Sequence, residues 1–366
     1  MTTKNLVVLT AAAVVLGGVA YYTSAGKKVK APSLVGKQIV PAFNVADVAR
    51  VEIGGAKTVV LAAGDAGWTV ESLYGYPADT VKIREGLLKL KDLKVGQVAT
   101  GTTIDAPATV ALKDAAGKAV ASVQLGGTHN AKPKGQMAAF GGAGYPDGRY
   151  VLFEGKAVLV KDALEAFDGD PKKWIDTRIC KVAASDVTAV TYAKDGETVK
   201  LTRKDGAWTL EGLGEKEELD TSKTYSLDSA LSYLDLTNVA DPKLTEAELG
   251  FATGAVYTAT LKDGTTYTAR TGAATGADRW LKVSAAFTAT GTNTVENARL
   301  EQAAKTFNET VGKWTYAVSS YSADNFAKTR KDLVKAKEEP KKAKEEPKKD
   351  EAPAAAPAAA PAPEGK

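Results

Sequence analysis

The stretch Trp208–Val239, WTLEGLGEKEELDTSKTYSLDSALSYLDLTNV, decides how the chain is read, because it has an earlier echo in Trp68–Val98, WTVESLYGYPADTVKIREGLLKLKDLKVGQV. In each, a Trp closes a short apolar run, an Asp (Asp79, Asp220) follows 11 or 12 positions later, and Val98 or Val239 ends the unit 19 positions beyond that Asp. Fixed offsets of this kind mark an internal repeat. Asp79 and Asp220 suit the N-cap position, where a short carboxylate accepts from the orphan N–H groups of a first helical turn. Behind Asp79, Ile83, Leu87 and Leu90 recur at i, i+4, i+7, with Val81, Leu88 and Leu93 widening the stripe. Behind Asp220, Leu227, Ala230, Leu231 and Leu234 recur at i, i+3, i+4, i+7. That spacing predicts one amphipathic helix per copy, its apolar face laid on a sheet.

Short β-rich runs separated by Gly-containing turns surround each helix. The first copy offers Val48, Val51 and Ile53, then Thr58–Leu61, Trp68–Val70, Ala108–Leu112, Val120–Leu125, Tyr150–Phe153 and Val158–Val160, with a short helix over Lys161–Phe167. The second answers with Val187, Val190 and Tyr192, then Trp208–Leu210, Val256–Leu261, Thr266–Thr271 and Trp280–Val283. Asp-Gly pairs at Asp195-Gly196 and Asp205-Gly206 are hairpin turns, since both residues tolerate the positive φ a tight turn requires. Helices are expected over Val295–Val311 and Ala323–Lys335. The expected class is therefore α+β: two tandem repeats, residues 43–170 and 171–335, each a mainly antiparallel sheet with a helix on one face.

The two ends are different material. Residues 1–26 contain Leu6–Tyr22, LVVLTAAAVVLGGVAYY, without a charge. A spanning helix needs roughly 17 to 25 apolar residues, so this segment suffices as a membrane anchor. Tyr21 and Tyr22 suit the far interface, and a short head stays inside while a long body is exported. The alternative is a cleaved signal peptide with Thr23-Ser24-Ala25 as its cleavage site. The lysine-rich stretch over residues 27–42 is a linker, and residues 336–366, with KAKEEPK twice in succession and then mostly Ala and Pro, form a disordered spacer.

Composition narrows the chemistry. A net charge of +4 gives no basic face for nucleic acid. The single cysteine, Cys180, excludes an intramolecular disulfide and reads as a small buried hydrophobe. One histidine, His129, leaves little room for metal or acid–base chemistry. The stretch Gly126–Arg149 resembles a ligand loop, with His129, Lys132, Lys134 and Arg149 as donors, but it lacks a phosphate-binding signature and reads first as a surface loop. Its counterpart Gly272–Arg279 is shorter and lacks the histidine. Trp68 and Trp208, at matching places, are expected in the core. Tyr74-Gly-Tyr-Pro77 is expected to pack as a turn on its own helix, and Asp79 and Asp220 are not expected to face one substrate. No catalytic, cofactor-binding or metal-binding residue is predicted.

Trp68-Thr-Val70, Tyr76-Pro-Ala-Asp79 and the Leu-rich helix behind them resemble the bacterial domain of unknown function 4340 (DUF4340) family. So do Trp174-Ile-Asp176, Asp220-Thr-Ser-Lys223, Leu227-Asp-Ser-Ala-Leu231, Val239-Ala240 and Trp314-Thr-Tyr316, over about residues 43–335. The resemblance implies an envelope protein with one N-terminal membrane segment, encoded beside ABC-type transporter subunits or gliding-motility-like proteins. The expected function is a non-enzymatic accessory subunit, held in the bacterial inner membrane by Leu6–Tyr22 with its body in the periplasm and a transporter subunit as partner. The alternative is a periplasmic scaffold or ligand-binding module reaching toward the cell wall.

Overall fold

The computed structural model describes residues 33–55, 58–133 and 144–337. Leu6–Tyr22, the cleavage site at Thr23–Ala25, Lys134 and the tail beyond Lys337 lie outside the described residues. Among the described residues no helix is long and apolar enough to cross a membrane.

The first half supplies β1 (Arg50–Ile53), β2 (Val59–Gly64), β3 (Gly67–Val70), β4 (Tyr76–Pro77), β5 (Gln97–Val98), β6 (Ala108–Lys113), β7 (Ala119–Asn130), β8 (Pro146–Phe153) and β9 (Lys156–Val160). They pair antiparallel in the order β4-β3-β2-β1-β6-β7-β8-β9-β5. The second half supplies β10 (Val187–Lys194), β11 (Glu197–Lys204), β12 (Ala207–Leu210), β14 (Asn238–Val239), β15 (Val256–Leu261), β16 (Thr265–Thr275), β17 (Asp278–Phe287) and β18 (Tyr316–Ser319). Their order is β12-β11-β10-β15-β16-β17-β18-β14. With β4 set aside, the two orders agree position for position. A separate ribbon joins β13 (Glu217–Leu219) to β19 (Val334–Ala336), so strand structure runs into the first residue assigned to the tail. The molecule is α+β with two main antiparallel sheets.

Alternation along the strands fixes which face is buried. In β1, Val51 and Ile53 are buried while Arg50 and Glu52 are half-exposed; in β10, Val190 and Tyr192 are buried between half-buried Ala189, Thr191 and Ala193. Helix α1 (Thr80–Lys91) covers the apolar face of the first sheet, its N-cap Asp79 accepting from the N–H groups of Val81 and Lys82 at 2.9 and 3.2 Å. The covering stripe is narrower than its sequence suggests. Ile83, Gly86, Leu87 and Leu90 are buried, whereas Val81 and Leu88 face solvent.

The second half keeps the buried positions but not the helix. Asp220 caps a 3-10 turn over Thr221–Ser226, and turns follow. Leu227, Ala230, Leu231 and Leu234 are nevertheless buried. Side-chain hydroxyls take local and distant acceptors in this stretch, which gives the backbone an alternative to a helix. Ser222 Oγ donates to Asp220, Thr224 Oγ1 to the Thr221 carbonyl and Ser232 Oγ to the Val182 carbonyl, while the Tyr257 hydroxyl takes the Leu227 carbonyl at 2.8 Å. The expected helix over Lys161–Phe167 is likewise only a 3-10 turn, Glu165–Phe167. The expected Ala323–Lys335 helix is broken. Its pieces are Ser320–Ala323, Asp324–Phe326 and α4 (Arg330–Leu333), where Thr329 and Asp332 form a capping box that starts a new turn. Helix α2 (Thr294–Phe307) matches its expected start and passes into a π-turn over Asn308–Gly312; α3 is the short Ser320–Ala323 piece.

Each half is closed by the same two backbone contacts. Ile39 N–H donates to the Leu93 carbonyl at 3.0 Å, and Ile179 N–H to the Leu234 carbonyl at 2.9 Å. Asp79 N–H donates to the Trp174 carbonyl at 2.7 Å, and Asp220 N–H to the Leu333 carbonyl at 2.8 Å. Seven residues before each acceptor stands a fully buried phenylalanine, Phe167 or Phe326. One hydrophobic core runs through both halves.

Trp68 and Trp208 are corrected from core to rim. Both are half-buried at the ends of their strands, Trp208 with the Arg203 guanidinium 5.9 Å from its ring centre. Trp174, 1% exposed, is the indole that fills the core. Tyr74-Gly-Tyr-Pro77 is also corrected: Tyr74 is exposed, and Tyr76 crosses to the second half, edge-on to Trp314 at 5.1 Å and Tyr316 at 6.3 Å.

Cys180 follows Ile179 as Val40 follows Ile39, and both are buried. Desolvation pushes its thiol up to about 12. The folded state keeps a proton that the unfolded chain releases above the ordinary value of 9.0, so this contribution to stability is complete below that pH and is lost as pH rises toward about 12. Burial moves Tyr192, Tyr257 and Tyr316 in the same direction. Cys180→Val should therefore cost less than about 1.5 kcal/mol near neutrality and lose less stability than the parent above pH 9.0. Native thiol that alkylates at neutral pH as fast as unfolded thiol contradicts this.

A second prediction concerns Gly86. A Cβ there would stand 2.9 Å from Trp174 Cη2 and 3.3 Å from Phe167 Cζ. Helix propensity alone makes Gly86→Ala stabilising by about 1 kcal/mol, but overpacking costs about 1 to 3 kcal/mol. The variant should unfold at lower urea concentration; a stabilised protein means that Trp174 does not approach α1 this closely.

Candidate functional site

Both sheets carry the same irregularity. The register slips between Leu125 and Thr128, where Gly126 and Gly127 face Tyr150, and again between Thr271 and Ala274, where Gly272 and Ala273 face Trp280. A bulge disrupts the ladder locally and leaves a backbone group in need of another partner. In each half the arginine of the adjoining strand supplies it: Arg149 Nε donates to the Gly126 carbonyl and Arg279 Nη1 to the Gly272 carbonyl, both at 2.9 Å. Close approach explains the glycines. A Cβ on Gly126 would lie 3.0 Å from Ile104 Cδ1, and one on Gly272 2.4 Å from the Leu249 carbonyl oxygen.

Around this shared feature the halves diverge. In the second, the connection from β14 to β15 is long and sets Leu249 and Phe251 in a small apolar cluster with Ala240, against Trp280. The Arg270 guanidinium and Lys282 ammonium flank the Phe251 ring at 5.6 and 5.9 Å. In the first, the β5–β6 connection is shorter and brings Ile104 to the bulge. A cleft of about 900 Å³ opens between Thr102–Thr109, Gly54-Gly55, the bulge and the Arg149, Tyr150 and Asp168 side chains. A smaller space of about 260 Å³ adjoins it along Gly54, Gly55, Arg149 and Asp168 and reaches Phe167.

Arg149 is the fixed point of the cleft. Its side chain is 7% exposed and forms an ion pair with Asp168. Besides the Gly126 carbonyl it holds those of Leu164 at 3.1 Å and Ala163 at 3.5 Å. These contacts use Nε and Nη1; Nη2 has no hydrogen-bond partner among the described residues. Leu164, in the left-handed region at φ 50°, turns the chain so that its carbonyl and Asp168 both reach the guanidinium.

The described donors along Gly126–Arg149, which are His129, Lys132 and Arg149, are not gathered into one site. Both ends of that stretch pair as strands, since β7 runs to Asn130 and β8 starts at Pro146. His129 Nδ1 lies 2.6 Å from Asp147 Oδ1, and its ring meets Tyr150 edge-on at 5.8 Å. Lys132 is exposed. Among the described donors Arg149 alone lines the cleft, Lys134 lying outside the described residues. Asp79 and Asp220 each cap the turn of their own half. Thr102–Thr109, Gly54-Gly55 and Asp168 were not anticipated, although one signal was present: nine residues separate Val98 from Ala108, against sixteen between Val239 and Val256. Among the described residues no three His, Cys, Asp or Glu side chains are placed to hold a metal ion.

The molecule is thus an α+β protein of two sheets with matching strand order, one bearing an open cleft where the other is filled. The chain belongs to the DUF4340 family, a domain of unknown function whose family model matches residues 68–253, from β3 across the first half to the connection before β15. No curated protein and no solved structure matches it.

The two arginines should differ in weight. Arg149→Met strips a half-exposed carboxylate and three carbonyls of a buried partner and should cost about 2 to 4 kcal/mol. Arg279→Met, which loses one carbonyl contact, should cost about 1 kcal/mol. Equal losses in denaturant melts contradict this account of Arg149.

Proposed function

We propose that the chain is a non-enzymatic envelope protein, tethered by Leu6–Tyr22 in the bacterial inner membrane, whose two-sheet body arose by duplication and works by presenting a surface to a protein partner. The family resemblance makes a subunit of an ABC-type transporter or gliding-motility-like system the first partner to test. The observation that carries the reading is the outer face of the second sheet. There Thr191, Thr258, Thr268 and Ser284 stand opposite one another on four successive strands, with Thr260 and Thr266 paired in the next rank. All six are at least partly exposed. Short hydroxyl side chains lose little rotamer entropy on docking, and depletion of charge is what distinguishes the core of an interface from ordinary surface. At the corresponding place the first sheet carries an ion-paired network, Arg50 with Glu52 and Glu71, and Lys113 with Glu52, whereas on the second sheet the ion pairs of Arg270 and Lys282 with Glu246 lie one rank to the side.

The cleft beside Arg149 favours a second reading, a periplasmic scaffold or ligand-binding module. To test the first, the full chain is purified in detergent from its native membrane, and its partners are quantified for the parent and for Thr258→Lys/Thr268→Lys. The expected result is a stoichiometric membrane partner that the double variant loses at unchanged melting temperature. Recovery of the same partner by the lysine variant removes the threonine face from the interface, and recovery with wall fragments alone overturns the subunit reading.

A further inference from the structure

We propose that the cleft of the first half binds a neutral, hydroxyl-rich ligand of mono- or disaccharide size; this rests on the ligand-binding reading above. The duplication supplies an internal control. At the same bulge, the second half seats Leu249 and Phe251 against Trp280 and closes the space, whereas the first half leaves about 900 Å³ open. Small-molecule sites run from about 300 to 1,000 Å³, and this volume holds one or two sugar rings.

The charges select the class. Among the described lining residues Arg149 is the one cation, and Asp168 already neutralises it. Asp105 adds a second carboxylate, so an incoming phosphate or carboxylate meets more negative than positive charge. The apolar lining is broken up by Gly54, Gly55, Gly126 and Gly127, which favours no greasy ligand. What the walls do offer is hydrogen bonding in both directions. Donors are the unpartnered Nη2 of Arg149 and the hydroxyls of Thr102, Thr103, Thr109 and Tyr150; acceptors are Asp105 and Asp168. A ring bearing several hydroxyls both donates and accepts at each of them, and Ile104 and Pro107 give its carbon face an apolar floor.

The test uses the full chain in a sugar-free zwitterionic detergent, with binding followed by saturation-transfer NMR on the probe and by calorimetry. The probes are the β-1,4 disaccharide of N-acetylglucosamine, glucuronate and inorganic phosphate. The disaccharide should bind with a Kd near or below about 1 mM and outcompete both anions by roughly tenfold or more. Thr103→Trp, a change at an exposed position that fills the cleft as the second half fills its own, should abolish binding while leaving the melting temperature unchanged. Asp168→Asn, which frees the Arg149 charge, should invert the preference toward phosphate and glucuronate. Anion binding by the parent without disaccharide binding refutes the neutral class but leaves the ligand-binding reading in place. If none of the three probes binds at about 10 mM, or if Thr103→Trp binds as well as the parent, both fall.

Discussion

The structure depends on a backbone hydrogen bond made twice. Asp79 N–H reaches the Trp174 carbonyl and Asp220 N–H reaches the Leu333 carbonyl. A sheet with one apolar face is stable only when something covers that face, and here the cover comes from two distant pieces of chain. One begins at the Asp; the other returns after the last strand through Phe167 or Phe326. The hydrogen bond locks them together over the sheet. The same Asp thereby starts the covering segment with its side chain and anchors the returning turn with its backbone. Tyr76 then joins the halves by standing against Trp314 and Tyr316, so the core is continuous.

Much of this was legible because it rests on side-chain pattern. The alternation in Val51-Ile53 and Val190-Tyr192, the Asp caps and the apolar spacings behind them pointed to two equivalent units, and the buried residues fall at those spacings, although Val81 and Leu88 of the expected stripe face solvent. The misreadings share a cause. Leu227, Ala230, Leu231 and Leu234 have helical spacing and are buried, yet the backbone there forms turns, with the Thr224 hydroxyl on the Thr221 carbonyl and the Ser232 hydroxyl tied to the distant Val182 carbonyl. Burial pattern survives such a change because it records which side chains meet the sheet and not how the chain travels between them. Trp68 and Trp208 misled differently: matching places in a repeat establish a shared environment, and that environment is a strand end at the rim.

The cleft was the least legible part, since its walls come from five separate stretches and none carries a motif. Gly54-Gly55 and Gly126-Gly127 read as turn residues in isolation. Only Arg149 stood out, and it did so as the last residue of a stretch whose two ends pair as strands. The useful signal lay in comparing the copies: matched strands joined by unmatched connections point to the place where one copy has gained or lost something.

That comparison also separates scaffold from specialisation. An arginine holding a bulge carbonyl occurs in both halves and therefore belongs to the architecture. The Asp168 ion pair and the short Thr102–Pro107 wall belong to the first half alone, and the Leu249–Phe251 plug belongs to the second. The outer faces diverge in the same manner, with paired charges on the first sheet and ranks of threonine on the second. One closing hydrogen bond therefore supports two different surfaces. The halves can share a core and still differ at the surface, because the side chains that meet the core alternate along each strand with those on the outer face.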